Sequence, residues 1–402
     1  MRYRDICPVL SVVPFRTGVQ EAQHGAPEPA GSVRHIELTS GLETVSGCSR
    51  MNGDRGRVPA LQLEGRGRHM QIDMHTHVLA LAADPGFSVE YGREGSLCIY
   101  RSAGSVPTHR MPTEGEWKAS GFARKGWPII GGAESKRDHP GFDKIVLLSV
   151  SPQWLGGRLI GTVDPTGISG VEGPPDPEKC NDYIAGLVSQ DPETLVGFAS
   201  VNPAYQGPQA AVEELTRAVR ELGLSGVKLY PMYQHWSPDD RELAFPVYQC
   251  ALDLGVPVMF HQAGSTRIDA SLGLGRPALL DDVGREFRDL VVIIAHMGIP
   301  WQDEALFLLT KHPNFYGELS YLIAALSPRE LFSFLHKAEP FFVPLEKLFF
   351  GSDYPGFLYD PVLLRQKLLT INDHAEPLGL DPIPQRKLEG IMGDHAAAVL
   401  GW

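Results

Sequence analysis

The chain has 402 residues, 43% of them hydrophobic, enough to fill the core of one large domain or two ordinary ones; an α/β barrel is a standing exception to that length prior. A formal net charge of -12 argues against nucleic acid or an anionic membrane as the main partner, because both reward a basic face; a small polar substrate remains open. The five cysteines are scattered and form no Cys-x-x-Cys pair, so neither a disulfide framework nor a thiolate zinc site is indicated, a reducing cytoplasm is the default, and no apolar run approaches the ~20 residues that span a bilayer.

Residues 1–69 contain no lysine and show no sustained helical or strand periodicity. Their one apolar stretch, Pro8 to Pro14, is short and broken by proline, which argues against a signal peptide. The segment reads as a disordered or non-native extension, with Met70 as a plausible start and residues 70–402 as the functional domain.

From Met70 onward, apolar and β-branched runs alternate with helical patterns. The runs are Met70 to His75, Lys144 to Val150, Leu195 to Val201, Gly226 to Tyr230, Val256 to His261, Val291 to His296, Asn314 to Ser320 and Lys347 to Asp353. Between them, Pro208 opens a helix whose apolar residues Val212, Leu215, Val219 and Leu222 recur at three and four before Gly223. Ser237-Pro238 is expected to open the next, ended by Gly255, and Trp301 to Thr310 and Arg329 to Ala338 continue the alternation. Eight near-continuous apolar strands alternating with amphipathic helices predict a (β/α)8 TIM barrel, α/β in class. Two long loops, residues 76–143 after the first strand and Pro152 to Pro177 after the second, would rise from its C-terminal face.

Catalytic residues of such barrels stand at the C-terminal ends of strands. Those positions hold His75 and His77 on strand one, Lys228 and Tyr230 on strand four, His261 on strand five, His296 on strand six and Asp353 on strand eight. His75 and His77 lie two apart, so on a strand they point the same way and can grip one ion. Neutral imidazole and carboxylate suit Zn²⁺, and a catalytic site keeps one position open for water. A lone His-x-His pair is equally well two surface histidines, and His296 alone a core histidine; the set together carries the metal reading. His235 and His395 read as loop, cap or surface groups. His109, Arg110, Trp117, Arg124, Lys125 and Trp127 read as part of a solvated lid.

Asp73-Met74-His75-Thr76-His77, Val227-Lys228-Leu229-Tyr230-Pro231, Phe260-His261-Gln262, Ala295-His296-Met297-Gly298 and Gly351-Ser352-Asp353-Tyr354-Pro355 together resemble the amidohydrolase superfamily. Within it they resemble the amidohydrolase-2 branch, which includes the aminocarboxymuconate semialdehyde decarboxylase group. The resemblance covers roughly residues 70–402. It implies one divalent metal per chain, usually zinc, held by His75, His77, His261 and Asp353, with His296 as an acid/base or substrate-orienting group and Asp353 taking a proton from metal-bound water. Lys228 and Tyr230 are candidate substrate contacts; in other branches a strand-four lysine is carboxylated and bridges two metals.

The main functional expectation is a cytoplasmic metal-dependent hydrolase of a small ester, lactone or amide. The alternative is a non-oxidative decarboxylase of an unsaturated or aromatic carboxylic acid on the same site, and a minor one is an inactive barrel that binds a partner. Barrels of this branch are often dimers, so the resemblance also allows a homodimer.

Overall fold

A computed structural model of the chain describes residues 69–77, 87–91, 97–101, 139–151, 153–155, 158–160, 176–265, 270–338, 343–354 and 361–402. Residues 1–68, expected to be an extension, and His109 to Trp127, expected to belong to a lid, lie outside them. Eight parallel strands make the barrel: β1 (Ile72–His77), β2 (Lys144–Leu148), β3 (Leu195–Phe198), β4 (Val227–Leu229), β5 (Val258–His261), β6 (Val292–Ala295), β7 (Phe315–Glu318) and β8 (Leu348–Phe349). Two sheets, β1-β2-β3 and β4-β5-β6-β7-β8, run in chain order. Isolated parallel bridges join them at both seams, Ala199 with Val227 and Thr76 with Tyr354. Seven of the eight apolar runs contain one of these strands whole, and the first overlaps β1, which continues past His75 to His77.

The helices cover the outside. Those of six residues or more among the described residues are α1 (Pro177–Val188), α2 (Pro208–Arg220), α3 (Phe245–Leu254), α4 (Asp281–Glu286), α5 (Gln302–Lys311), α6 (Pro328–Ala338), α7 (Pro361–Leu369), α8 (Gln385–Met392) and α9 (Asp394–Leu400). Asp176 caps α1 by accepting from the Lys179 N–H at 2.8 Å, with Pro177 in the first turn. The helix expected from Pro238 begins instead at Phe245. The Asp240 carboxylate accepts from the Glu242 and Leu243 N–H groups, which makes a local turn, and Pro246 then sits in the first helical turn. The two long loops contain antiparallel hairpins, Phe87–Tyr91 with Leu97–Arg101 and Gln153–Leu155 with Arg158–Ile160.

Strand residues divide between two cores. Ile145, Leu147, Val227, Phe260 and Ile294 pack with the helices, whereas Ile72, Met74, Val146, Leu148, Phe198, Met259 and Ile293 form a second cluster together with Ala396 and Ala397 of α9. One irregularity in β1 positions the site. Asp73 pairs with Ile145 and Thr76 with Leu147, so three steps on β1 answer two on β2. Such a bulge resets the alternation and re-aims the side chains beyond it. Met74 can therefore stay in the apolar cluster while His75 and His77 both enter the polar site.

Candidate metal centre

The polar end of the barrel collects the strand-end residues into one buried cluster. His75 Nε2 lies 3.1 Å from His77 Nε2, and Asp353 Oδ1 lies 3.5 Å from the first and 3.3 Å from the second. These three form a donor group able to hold an ion, all of them buried. Ligands 2.0–2.2 Å from one tetrahedral ion stand roughly 3.3 Å apart, so the spacing fits a single divalent metal. A second donor group combines His75, His296 and Glu318.

His261 joins through His296 rather than through the triad: its Nδ1 lies 3.0 Å from His296 Nε2, and its own Nε2 is buried with no partner. That imidazole nitrogen is a buried donor atom still open to a ligand. His296 is fixed on its other side by Ser320 Oγ, 2.9 Å from Nδ1.

The chain bends sharply where it presents these groups. His296, Met297 and Asp353 have φ of 62°, 47° and 58°, in the left-handed region that side chains other than glycine rarely adopt. Backbone strain of this kind is held only where the surroundings over-determine it, and it gathers at functional sites. Gly317 shows one of the restraints: a Cβ there would lie 2.0 Å from Met297 Sδ.

Burial governs the electrostatics. It holds His75 and His261 well below the usual imidazole range and brings His296 to about 3, with neighbouring His75 and Lys228 adding to the effect on His296. Neutral imidazole is the form that offers a lone pair to a metal. Lys228 is fully buried, its Nζ 3.5 Å from His75 Nε2; burial brings it down to about 7 against the opposing pull of Glu318 and Asp353. Tyr230 is buried as well. Its hydroxyl donates to the Ser149 carbonyl at 2.9 Å, its ring lies 6.4 Å from that of His77, and burial pushes its phenol well up.

Two carboxylates absent from the sequence expectation complete the cluster. Glu318 at the end of β7 lies 2.9 Å from His75 Nδ1, and both are fully buried. Asp73 accepts from the His75 and Ser352 N–H groups, and its other oxygen lies 3.1 Å from His139 Nε2. Partners on the far nitrogen of a metal-ligating histidine orient it and raise its basicity. The signal for Glu318 was its place, since it is the first charged residue after Phe315-Tyr316-Gly317 in the seventh run and closes that strand. His235 is exposed, as expected. His395 is not a surface group: it is buried, with Nδ1 3.3 Å from the Leu348 carbonyl.

An amidohydrolase family model of the amidohydrolase-2 type matches residues 160–402, more than half of the chain. The chain belongs to this family. It is a metal-dependent enzyme, a hydrolase or a carboxy-lyase. His75 and His77 lie before the matched stretch. This amidohydrolase is 26% identical over 362 residues to a 2-amino-3-carboxymuconate-6-semialdehyde decarboxylase from Dictyostelium discoideum, covering 83% of this chain and 92% of that protein. It is 37% identical over 97 residues to a 2-keto-4-carboxy-3-hexenedioate hydratase from Sphingobium sp. (strain NBRC 103272 / SYK-6), 22% of this chain and 27% of that one. Among solved structures it is similar in fold to a dihydroxybenzoic acid decarboxylase from Polaromonas sp. JS666 with bound manganese and 2-nitroresorcinol. That likeness has a TM-score of 0.53 at 17% identity, covering 83% of this chain and 97% of that one. No helix among the described residues of this amidohydrolase is long and apolar enough to cross a membrane.

Proposed function

We propose that the chain is a non-oxidative decarboxylase of a small carboxylic acid whose carboxylate is conjugated to a double bond or an aromatic ring. The observation that carries this reading is the similarity to a semialdehyde decarboxylase over 83% of this chain and 92% of that protein. It favours decarboxylation over the hydrolysis first expected from the motifs. His75, His77, His261 and Asp353 are the proposed ligands of one divalent ion, and the three-histidine, one-carboxylate set suits zinc. When bound, that ion supplies Lewis-acid polarisation of substrate oxygens.

The chain's own residues do the rest. Lys228 and Tyr230 border the donor triad and contribute a cation and an aromatic face for an anionic, unsaturated substrate. His296, held at Nδ1 by Ser320, takes the proton of the substrate's carboxylic acid at Nε2 and later returns it from there. The C–C bond to the carboxylate breaks, its electron pair stays on the substrate carbon, and the returned proton fills that position as CO₂ leaves.

Hydration of a double bond is the second reading, supported by the 37% identity to a hydratase over a limited stretch. One experiment separates the three. The full chain loaded with Zn²⁺ is incubated with unsaturated and aromatic carboxylic acids, esters and lactones, and CO₂ and product masses are followed. Decarboxylation releases CO₂ in step with substrate loss, and neither a chelated sample nor Asp353→Ala does so. Addition of one water to an acid, or acid release from an ester or lactone, each without CO₂, rejects the proposal.

A further inference from the structure

The buried Glu318, which the proposed chemistry does not use, is bonded to three residues that it does use. Its Oε2 lies 2.9 Å from His75 Nδ1 and accepts from the Ser320 hydroxyl at 2.7 Å; its Oε1 accepts from the Ser320 N–H and its Oε2, more weakly, from the His296 N–H. Backbone N–H groups only donate, so both oxygens act as acceptors. Ser320 Oγ in turn lies 2.9 Å from His296 Nδ1, and His296 Nε2 lies 3.0 Å from His261 Nδ1. Beyond that, His261 Nε2 is buried with no partner.

One proton assignment satisfies this chain. We infer that Glu318 is a positioning residue that sets the tautomers of His75, His296 and His261, the last two through Ser320. His75 donates from Nδ1 to Glu318 at 2.9 Å, with Ser320 Oγ a longer 3.1 Å from the same nitrogen, which leaves a lone pair on Nε2, the atom that faces His77 and Asp353. Ser320 spends its single proton on Glu318, so its oxygen accepts from His296 Nδ1–H. His296 Nε2 is then a lone pair that accepts from His261 Nδ1–H, and His261 Nε2 is left as a lone pair too. One carboxylate thus leaves a lone pair on His75 Nε2 and on His261 Nε2, the form a metal ligand needs.

The reverse order fails at its last link. If Ser320 gave its proton to His296 Nδ1, then His296 would donate from Nε2 to His261 Nδ1. His261 would carry its proton on Nε2, a buried N–H without an acceptor and unable to bind a metal. Gly351 is shaped to the same arrangement, since a Cβ there would lie 2.0 Å from Glu318 Oε1 and 2.9 Å from His75 Cβ.

The inference rests on the metal ligands proposed above, but its test does not depend on the reaction. Ring nitrogens of ¹⁵N-labelled histidine report their protonation directly by NMR in the metal-free full chain. His75, His296 and His261 are expected to be protonated at Nδ1. Ser320→Ala should leave His75 so and release His296 and His261, whereas Glu318→Gln should release all three. In competition with a chromophoric chelator, Zn²⁺ affinity should fall about 10–100-fold in Glu318→Gln.

A wild-type His261 protonated at Nε2, or a His261 unchanged in Ser320→Ala, overturns the relay. Two zinc ions per wild-type chain, one of them lost in Glu318→Gln, would make Glu318 a ligand and overturn it as well. A failure to release CO₂ would reject the decarboxylase reading and leave these spectra as they are.

Discussion

Asp73 and Ser352 meet across the closing seam of the barrel: one Asp73 oxygen accepts from the Ser352 N–H at 2.9 Å and from the His75 N–H at 3.1 Å. A single buried carboxylate thereby ties the strand that carries His75 and His77 to the turn that carries Asp353, and the Asp353 N–H returns the tie to the His75 carbonyl. Asp73→Ala strands these two buried donors and His139. At about 1–3 kcal/mol for a buried group left unpaired, the variant should lose roughly 3 kcal/mol or more in urea unfolding. Asp73→Asn keeps one oxygen for both N–H groups and should lose about 1 kcal/mol. Equal losses in the two variants would show that the seam does not depend on this acceptor.

Gly351 is the position where the site has no room. Its missing Cβ leaves space for Glu318 and His75, and both neighbours are themselves buried and bonded. Gly351→Ala should cost about 1–3 kcal/mol as overpacking and weaken Zn²⁺ binding. Gly186 on the exposed side of α1 is the contrast: nothing stands within 4 Å of a Cβ there, so Gly186→Ala should gain about 0.5–1 kcal/mol and leave Zn²⁺ binding unchanged. Chemical denaturation with parallel metal titration checks both.

The barrel was legible because its strands are buried on both faces and therefore read as continuous apolar runs, each ending where the polar end of the barrel begins. His75, His77, His261, His296 and Asp353 could be picked out as residues that break such a run. Glu318 breaks its run in the same way but lies outside the recognised motifs, and its role depends on what lies 2.9 Å away on β1, 243 residues distant in sequence. The bulge in β1 was hidden for a related reason, since a one-residue slip appears only in the pairing with β2. His395 misled because a histidine beside a helix start looks like a cap; only the fold shows that it fills the space over Gly390, where a Cβ would lie 2.0 Å from its Nε2.

Lys228 offers a direct test of metal number. Its amine lies 3.5 Å from His75 Nε2, near enough to suggest a bridging carbamate of the kind other branches use. The compact triad of His75, His77 and Asp353 already suits one ion, so Lys228→Met should retain one zinc per chain by elemental analysis. If the amine binds substrate, loss of a hydrogen bond to a charged group, about 1.5–3 kcal/mol, should lower kcat/KM roughly 10–100-fold. Loss of the metal together with the lysine would favour the carbamate.

His395 should make the fold sensitive to mild acid. Burial holds its folded-state pKa below the ordinary 6.5, the Leu348 carbonyl opposing this only in part. As pH falls below 6.5 the unfolded chain takes up a proton that the folded chain refuses, so stability falls until the lowered folded-state value is passed. Above 6.5 the group adds no pH dependence. Urea midpoints measured between pH 7.5 and pH 5, roughly the window around the reference value, should fall more steeply for the wild type than for His395→Asn. Parallel slopes would rule out this histidine as a source of the acid sensitivity.

The proton-transfer role assigned to His296 needs a variant that changes the ring and keeps the backbone. Its φ of 62° lies where asparagine is tolerated best after glycine, so His296→Asn removes the imidazole with little added strain. Zinc content should stay at one per chain through the His75, His77 and Asp353 group, with affinity lowered because His296 also orients His261. A positioned acid/base contributes about 10²–10⁴-fold, and the variant should lose that much in kcat with KM changed far less. A large rise in KM at unchanged kcat would instead make His296 a residue that holds the substrate, and the proton would have to come from another group in the cluster.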